Sequence, residues 1–377
     1  MTAITDAEGV RPMLLTVPPF YCPIESAVSP DAELVDRRST QWLEKFGMFE
    51  NGVQRDYLAR GKTGYFAAYS LPTGTGDGFQ AASDFLLWLY TFDDTHCDER
   101  PGGTTPEELI VTVTQLARII EAPGSRVLAG NPWAEALRDL RLRLADCATA
   151  TQVERWVVEL TRYFLGLPWE AANRRRGVEP SLDDYVVMWS YVAAMLPSVM
   201  FTDIAGGYEV PAQQMSAPAV RALTEMSCVL VAWDNDIISY NKEAYRSSRY
   251  SFSAIQNLIS VIAHQQGCPP QQAMGIAVAM RDRVMCLFLA LQRQVLTTAG
   301  EELARYVTGL GQWVRGYLDF SFGSDRYADP VNPDDPDSVR IAMPKAWADE
   351  PVDGRLQPLP IPTIAWWWNQ LELAHAA

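Results

Sequence analysis

What most constrains this chain is the helical rhythm of its apolar residues, which continues over most of its length while strand-like alternation is almost absent. Leu86, Leu89 and Tyr90 recur at steps of three and four, with Asp93 or Asp94 next in the same register. Trp156, Val157, Leu160, Tyr163, Phe164 and Leu167 repeat the pattern, as do Leu303, Tyr306, Val307, Leu310, Trp313, Val314 and Tyr317. Residues three and four apart share one face of a helix, so each run describes a helix with a face to bury. With 48% hydrophobic residues in 377, material for a large core is ample. The breaks are short and use helix-ending residues: Pro101-Gly102-Gly103, Gly130-Asn131-Pro132, Gly206-Gly207 and Gly267-Cys268-Pro269-Pro270. The expectation is an all-α chain with one helical domain over residues 25–328. Residues 1–24 read as an irregular segment ending in the proline-rich stretch Pro18 to Pro23. Residues 329–377 read as a Pro- and Asp-rich tail. Its Trp366-Trp367-Trp368 cluster either pins it to the body or makes it a lid over a pocket.

The formal net charge of −15 argues against nucleic-acid partners, whose phosphates need basic patches, and against docking on anionic membranes. Six cysteines lack paired spacing, and the three histidines, His96, His264 and His375, make no zinc-like set with them. Neither a signal-peptide pattern nor a run of about 18 apolar residues is present, so no membrane span is expected and the chain reads as cytoplasmic.

Two polar clusters stand at the ends of strongly apolar stretches. In the first, Asp93, Asp94 and Asp98 follow Trp88-Leu89-Tyr90, with Asp94 and Asp98 one helical turn apart. A solvated helix end would explain them poorly, since acids at a C-terminus oppose the helix dipole. In the second, Asn235, Ser239 and Glu243 lie at i, i+4 and i+8 behind Cys228-Val229-Leu230-Val231-Ala232-Trp233, so three oxygens leave one side of one helix. Crowded carboxylates at the rim of an apolar pocket call for a cation. The hard, oxygen-seeking Mg²⁺ suits this donor set, and Lys242 can reach a phosphate beside it. His96, between the aspartates, is expected to face solvent rather than act as a base. Cys97 is expected to pack rather than attack, because only Arg100 flanks it to lower its pKa.

At these residues the chain resembles the class I terpene synthases of bacteria. Asp93-Asp94-x-x-x-Asp98 is similar to their aspartate-rich motif, Asn235-x-x-x-Ser239-x-x-x-Glu243 to their second metal motif, and Arg326-Tyr327 to their C-terminal diphosphate-contacting pair. The resemblance implies a class I terpenoid synthase bundle around an apolar cavity with three Mg²⁺ ions at its mouth and, as an assembly, a homodimer at most. It implies a lyase that ionises a prenyl diphosphate and cyclises the cation, with Lys242, Arg326 and Tyr327 on the diphosphate. Leu86, Leu89, Tyr90, Trp189, Trp313 and Tyr317 would be pocket residues, their aromatic faces stabilising the cation. No catalytic group beyond the metal and diphosphate sites is implied. One position departs: Trp189 stands where the family carries an Arg that senses diphosphate.

Pro19-Phe20-Tyr21-Cys22-Pro23, Asp93-Asp94-x-x-Cys97-Asp98-Glu99 and Gly206-Gly207-Tyr208-Glu209 look most like the 2-methylisoborneol synthase branch, which points to geranyl or 2-methylgeranyl diphosphate. The alternatives are a cyclase of farnesyl or geranylgeranyl diphosphate, or a catalytically weak prenyl-diphosphate binder because of Trp189. A chain-elongating prenyltransferase would want a second aspartate-rich motif in place of the Asn/Ser/Glu pattern.

Overall fold

The computed structural model describes residues 13–97, 104–250, 256–324, 327 and 339–371. Within them run α1 (Ala32–Phe46), α2 (Gly52–Arg60), α3 (Thr63–Ser70), α4 (Gly76–Phe92), α5 (Pro106–Glu121), α6 (Pro132–Cys147) and α7 (Ala150–Arg176). Then come α8 (Leu182–Val192), α9 (Met195–Val199), α10 (Phe201–Ala205), α11 (Ala212–Met215), α12 (Pro218–Tyr250), α13 (Leu258–Gln266), α14 (Pro270–Leu296) and α15 (Glu301–Gly323). The expected all-α fold is what the chain adopts. No single helix among the described residues is long and apolar enough to cross a membrane.

The central element is α12. Its stretch Cys228 to Trp233 is apolar all round, and every one of those residues is buried, as a helix without a polar face must be. It packs against α14 and α15 on one side and α8 and α9 on the other. A shell of α3, α4 and α7 completes the enclosure. The contact of α3 with α15 is close because Gly316 has no side chain: a Cβ there would sit 2.5 Å from the Tyr69 carbonyl carbon. Helix starts follow local chemistry. Thr149 and Gln152 form a reciprocal cap on α7, and the Ser181 hydroxyl accepts from Asp184 N at 3.1 Å to open α8.

The ends of the chain hold one structure the periodicity did not announce. Strands β1 (Met13–Thr16) and β2 (Val339–Ala342) pair in parallel, with Leu14 opposite Arg340 and Leu15 opposite Ile341. Four residues per strand are too few to leave a readable alternation. From there the tail runs along the outside of the bundle. Val352 N donates to Asp282 at 2.9 Å, Arg283 pairs with Asp353, and the Trp367 indole donates to Glu225 at 2.9 Å. Trp367 and Trp368 are buried, and none of the described tail residues lines the central cavity. The tail is therefore a strap, and the tryptophans are its pins.

Candidate active site

The cavity holds about 200 Å³ open to the centre of a water molecule, between α4, α7, α8, α12 and α15. Leu86, Leu89 and Tyr90 of α4 line it, as the sequence suggested. At Phe92 the α-helix gives way to a π-helical turn, Asp93–Cys97. This corrects the expected geometry, because Asp94 and the residues after it do not follow α-helical spacing. Rings stacked behind the turn hold it in place. Trp88 stacks on Phe92 at 4.8 Å and Phe92 on His96 at 4.6 Å, with Trp133 edge-on to His96 at 4.8 Å. His96 is thus half-buried within an aromatic stack. Cys97 is buried, as expected. Asp98 and Arg326 lie outside the described residues.

The second wall is α12, which presents Asn235, Ser239, Lys242 and Glu243 to the same cavity as Asp93. Lys242 Nζ lies 4.0 Å from Asp94 Oδ1, so the two clusters face each other across the mouth. The Asn235 amide nitrogen donates to the Tyr317 hydroxyl at 2.7 Å and the Tyr327 hydroxyl at 3.2 Å, which leaves its oxygen for another partner. The Tyr90 and Tyr327 hydroxyls are 3.4 Å apart, so Tyr327 joins α4, α12 and α15 at one corner. Burial, then the neighbouring Tyr327 and Tyr90, hold the Tyr317 phenol well above its ordinary pKa, so it stays a neutral donor. Ser239 Oγ donates to Glu243 Oε1 at 2.6 Å, and Asn257 Nδ2 to Glu243 Oε2 at 3.1 Å.

Two acids flank Asn235 and are anchored in opposite directions. Asp234 takes the Arg281 guanidinium at 2.9 Å, and Asp236 accepts from the Tyr185 hydroxyl and, at 2.6 Å, from Leu258 N. Burial and then the Glu243 charge push the Asp236 carboxyl well above the usual range.

The remaining positions divide. Trp189 lines the cavity, stacked on Tyr185 at 5.5 Å, its indole donating to Ala232 O at 3.5 Å. Trp313 does not reach it. Its indole donates to Thr202 Oγ1 at 3.0 Å and its ring stands edge-on behind Phe66, which is the aromatic face that does line the wall. A helical register places Trp313 and Tyr317 on one face but cannot say which is in front.

The donors fit divalent cations. Those supplied by Asp93, Asp94, Asn235, Ser239 and Glu243 are oxygens, with neither thiolate nor imidazole among them, which is a hard-ion set. Asp93, Glu170 and Glu243 outnumber Arg174 and Lys242 on the lining, so an anionic ligand would need added positive charge. Among the described residues no three acidic, His or Cys side chains already converge, so the two walls hold their donors apart.

The family model for terpene synthase family 2, C-terminal metal binding, matches residues 84–285, a span that includes both clusters. The chain belongs to this terpene synthase family. It is 36% identical over 362 residues to bonnadiene synthase of Allokutzneria albata, covering 94% of this chain and 98% of that one. It is 34% identical over 353 residues to a farnesyl-diphosphate-cyclising (+)-T-muurolol synthase of Streptomyces clavuligerus, covering 93% and 81%. The solved structure of the SVS_A2 protein, from ancestral sequence reconstruction, superposes with a TM-score of 0.80 at 34% identity, over 94% of this chain and 98% of that one. The chain is a terpene cyclase with a divalent-metal site, and its bundle is the class I fold.

Several lining residues of this synthase escaped the sequence reading. Tyr163, Glu170 and Arg174 of α7 had a signal, a spacing of seven and four along one face. Met195 and Ser198 follow the break between α8 and α9, where Pro197 hinted at an interruption. Asn257 had none, since it lies 14 residues beyond Glu243 in sequence, outside any helical register with it.

Proposed function

We propose that this cyclase ionises an acyclic allylic prenyl diphosphate with Mg²⁺ and closes the cation into a ring, with farnesyl diphosphate as the preferred substrate. The observation that carries the reading is Lys242 of one polar wall 4.0 Å from Asp94 of the other, over a hollow lined by Leu86, Leu89 and Val231. Bound Mg²⁺ ions, three by family resemblance, would draw diphosphate to Asp93, Asp94, Asn235, Ser239 and Glu243 and take up the charge that grows on the leaving group. Lys242 adds a fixed cation at the same edge, and Tyr327 a hydroxyl. Tyr90, Trp189, Tyr317 and Phe66 offer ring faces, each worth roughly 0.5–2 kcal/mol to a nearby cation. Ser198 of the same lining donates its hydroxyl to Ala194 O at 2.7 Å, which ties its proton to the break before α9.

Farnesyl diphosphate is favoured because the T-muurolol synthase cyclises it and is similar along nearly the whole chain. Of the motifs that suggested a methylated geranyl substrate, the one with Asp93 and Cys97 lines the cavity, whereas the other two pack in the scaffold. The Gly206 face is covered by the Tyr208 ring, Tyr208 N donates to Asp203 O, and Arg281 donates to Tyr21 O. None of these residues lines the cavity.

Incubation with geranyl, 2-methylgeranyl, farnesyl and geranylgeranyl diphosphates plus Mg²⁺, followed by volatile analysis, tests the reading. Cyclic product chiefly from farnesyl diphosphate supports it. Product chiefly from another chain length corrects the substrate, and diphosphate binding without any product would favour the weak binder. Cytoplasmic residence and a homodimer belong to the same proposal, to be checked by fractionation and sedimentation.

A further inference from the structure

A third polar wall faces the cavity, and neither metal motif includes it. Tyr163, Glu170 and Arg174 stand at i, i+7 and i+11 on α7, which sets them on one helical face, and all three line the hollow. Tyr163 is only 2% exposed, and its hydroxyl has no hydrogen-bond partner among the described residues. Its electrostatic neighbours are Cys97, Asp93 and Glu170, which places the hydroxyl at the carboxylate end of the cavity.

Arg174 carries the one guanidinium among the described lining residues. Nη1 pairs with Glu170 at 2.8 Å and Nη2 donates to Cys97 O at 2.7 Å, at the end of the π-turn that carries Asp93 and Asp94. A planar fork of donors suits a phosphate edge, whereas the Trp189 indole on α8 has one donor, no charge, and a bond to Ala232 O already.

We propose that the diphosphate is gripped from α7: the Tyr163 hydroxyl and the Arg174 guanidinium supply the recognition that α8 lacks in this chain. The inference rests on the cyclase reading above. Because Arg174 also holds Cys97 O, a ligand on its guanidinium is felt directly by the turn that bears the aspartates.

Calorimetric titration of the full-length protein with inorganic diphosphate and Mg²⁺ tests this, alongside thermal unfolding and kcat and KM for whichever prenyl diphosphate is turned over. Tyr163→Phe should weaken diphosphate binding about tenfold, the worth of one hydrogen bond to a charged group, with an unchanged or higher Tm. Arg174→Lys, which keeps the charge but loses the fork, should weaken it by at least as much. Wild-type affinity in folded Tyr163→Phe and Arg174→Lys overturns the proposal, as does a lowered Tm with unchanged affinity, which would mark both as packing. Should the Arg174 variant fail to fold, Tyr163→Phe decides alone. A wild-type protein that neither binds Mg²⁺-diphosphate nor converts any prenyl diphosphate sinks the cyclase reading itself. Normal wild-type behaviour with undisturbed variants sinks only this inference.

Discussion

On α12, Asn235 sits between two buried acids tied to different neighbours, Asp234 to Arg281 on α14 and Asp236 to Tyr185 on α8, and Glu243 is gripped by both Ser239 and Asn257. Across the mouth, Asp93 and Asp94 ride on a π-turn backed by stacked rings, and Lys242 meets Asp94 at 4.0 Å, beyond hydrogen-bond length. The α12 wall is preorganised, its acids and donors held by directional hydrogen bonds and ion pairs. The aspartate wall rests on a π-turn backed by ring stacking, which constrains direction less than hydrogen bonds do. A site built this way sets position with one wall and closes with the other, so the same kind of substitution should have unequal effects on the two sides.

The largest expected effect is on turnover. Asn235→Ala should lower kcat/KM about 10³-fold, the scale seen when one preorganised stabilising group is lost, while Asp94→Asn on the adjustable wall should cost ten times less. Product formation and diphosphate release measure both, and an Asp94 variant that is the more damaging would break the comparison. Stability should follow the same division. Asp236→Ala strands the Tyr185 hydroxyl and Leu258 N in the interior and should cost about 3 kcal/mol in urea unfolding. Asp94→Ala loses a 4.0 Å contact with Lys242 at the mouth and should cost less, about 1 kcal/mol or under.

Much of this contrast was legible in the sequence and part of it was not. The spacing Asn235, Ser239, Glu243 named the preorganised wall because an unbroken α-helix carries it, and period 3.6 holds from Cys228 onward. The aspartate wall was found, but its geometry was misjudged, since nothing in Asp93-Asp94-Thr95-His96-Cys97 announces a π-turn. The turn is backed by His96 meeting Trp133 of α6 edge-on, a contact from 37 residues away that the local sequence does not announce. Trp313 failed for a related reason: register gives a face, whereas depth depends on Phe66, from a helix nearly 250 residues away in sequence. Asn257 and the β1–β2 pairing depend on long-range contacts that no local pattern encodes.

A pH titration sharpens the account of the preorganised wall. Burial pushes the Asp234 carboxyl up to about 6, its lost hydration outweighing the attraction of Arg281. Burial pulls Arg281 the other way, yet Asp234 and its other acidic neighbours raise it overall, so the cation is secure and the carboxylate is the group that titrates. With a folded pKa above the unfolded value near 4, this group's contribution to stability is complete below that value. It declines as pH rises towards 6 and is gone above, by at most about 1.4 kcal/mol per pH unit. Asp234→Asn removes this slope and also strands Arg281. The wild-type advantage over the variant in urea midpoints should therefore be greatest near pH 4 and shrink towards pH 7. An advantage that grows with pH would show that Asp234 is ionised throughout and that Coulomb attraction governs the pair.

The smallest effect concerns the break between α8 and α9, where Ala194 holds a left-handed φ of 56° on the cavity lining. That conformation costs a non-glycine residue about 1–2 kcal/mol, and Ala194→Gly would recover it. Against this stand the loss of a buried methyl, about 0.8 kcal/mol, and the extra freedom of glycine in the unfolded chain, about 0.5–1 kcal/mol. The three nearly cancel, so urea unfolding should move by less than about 0.5 kcal/mol in either direction. The product spectrum is the finer probe, because Ala194 lines the cavity and its carbonyl oxygen accepts the Ser198 hydroxyl of the same lining. Glycine should loosen that bond and change the ratio of the volatile products. An unchanged product ratio would mean that the break is as firmly set as α12, leaving the π-turn as the adjustable part of the mouth.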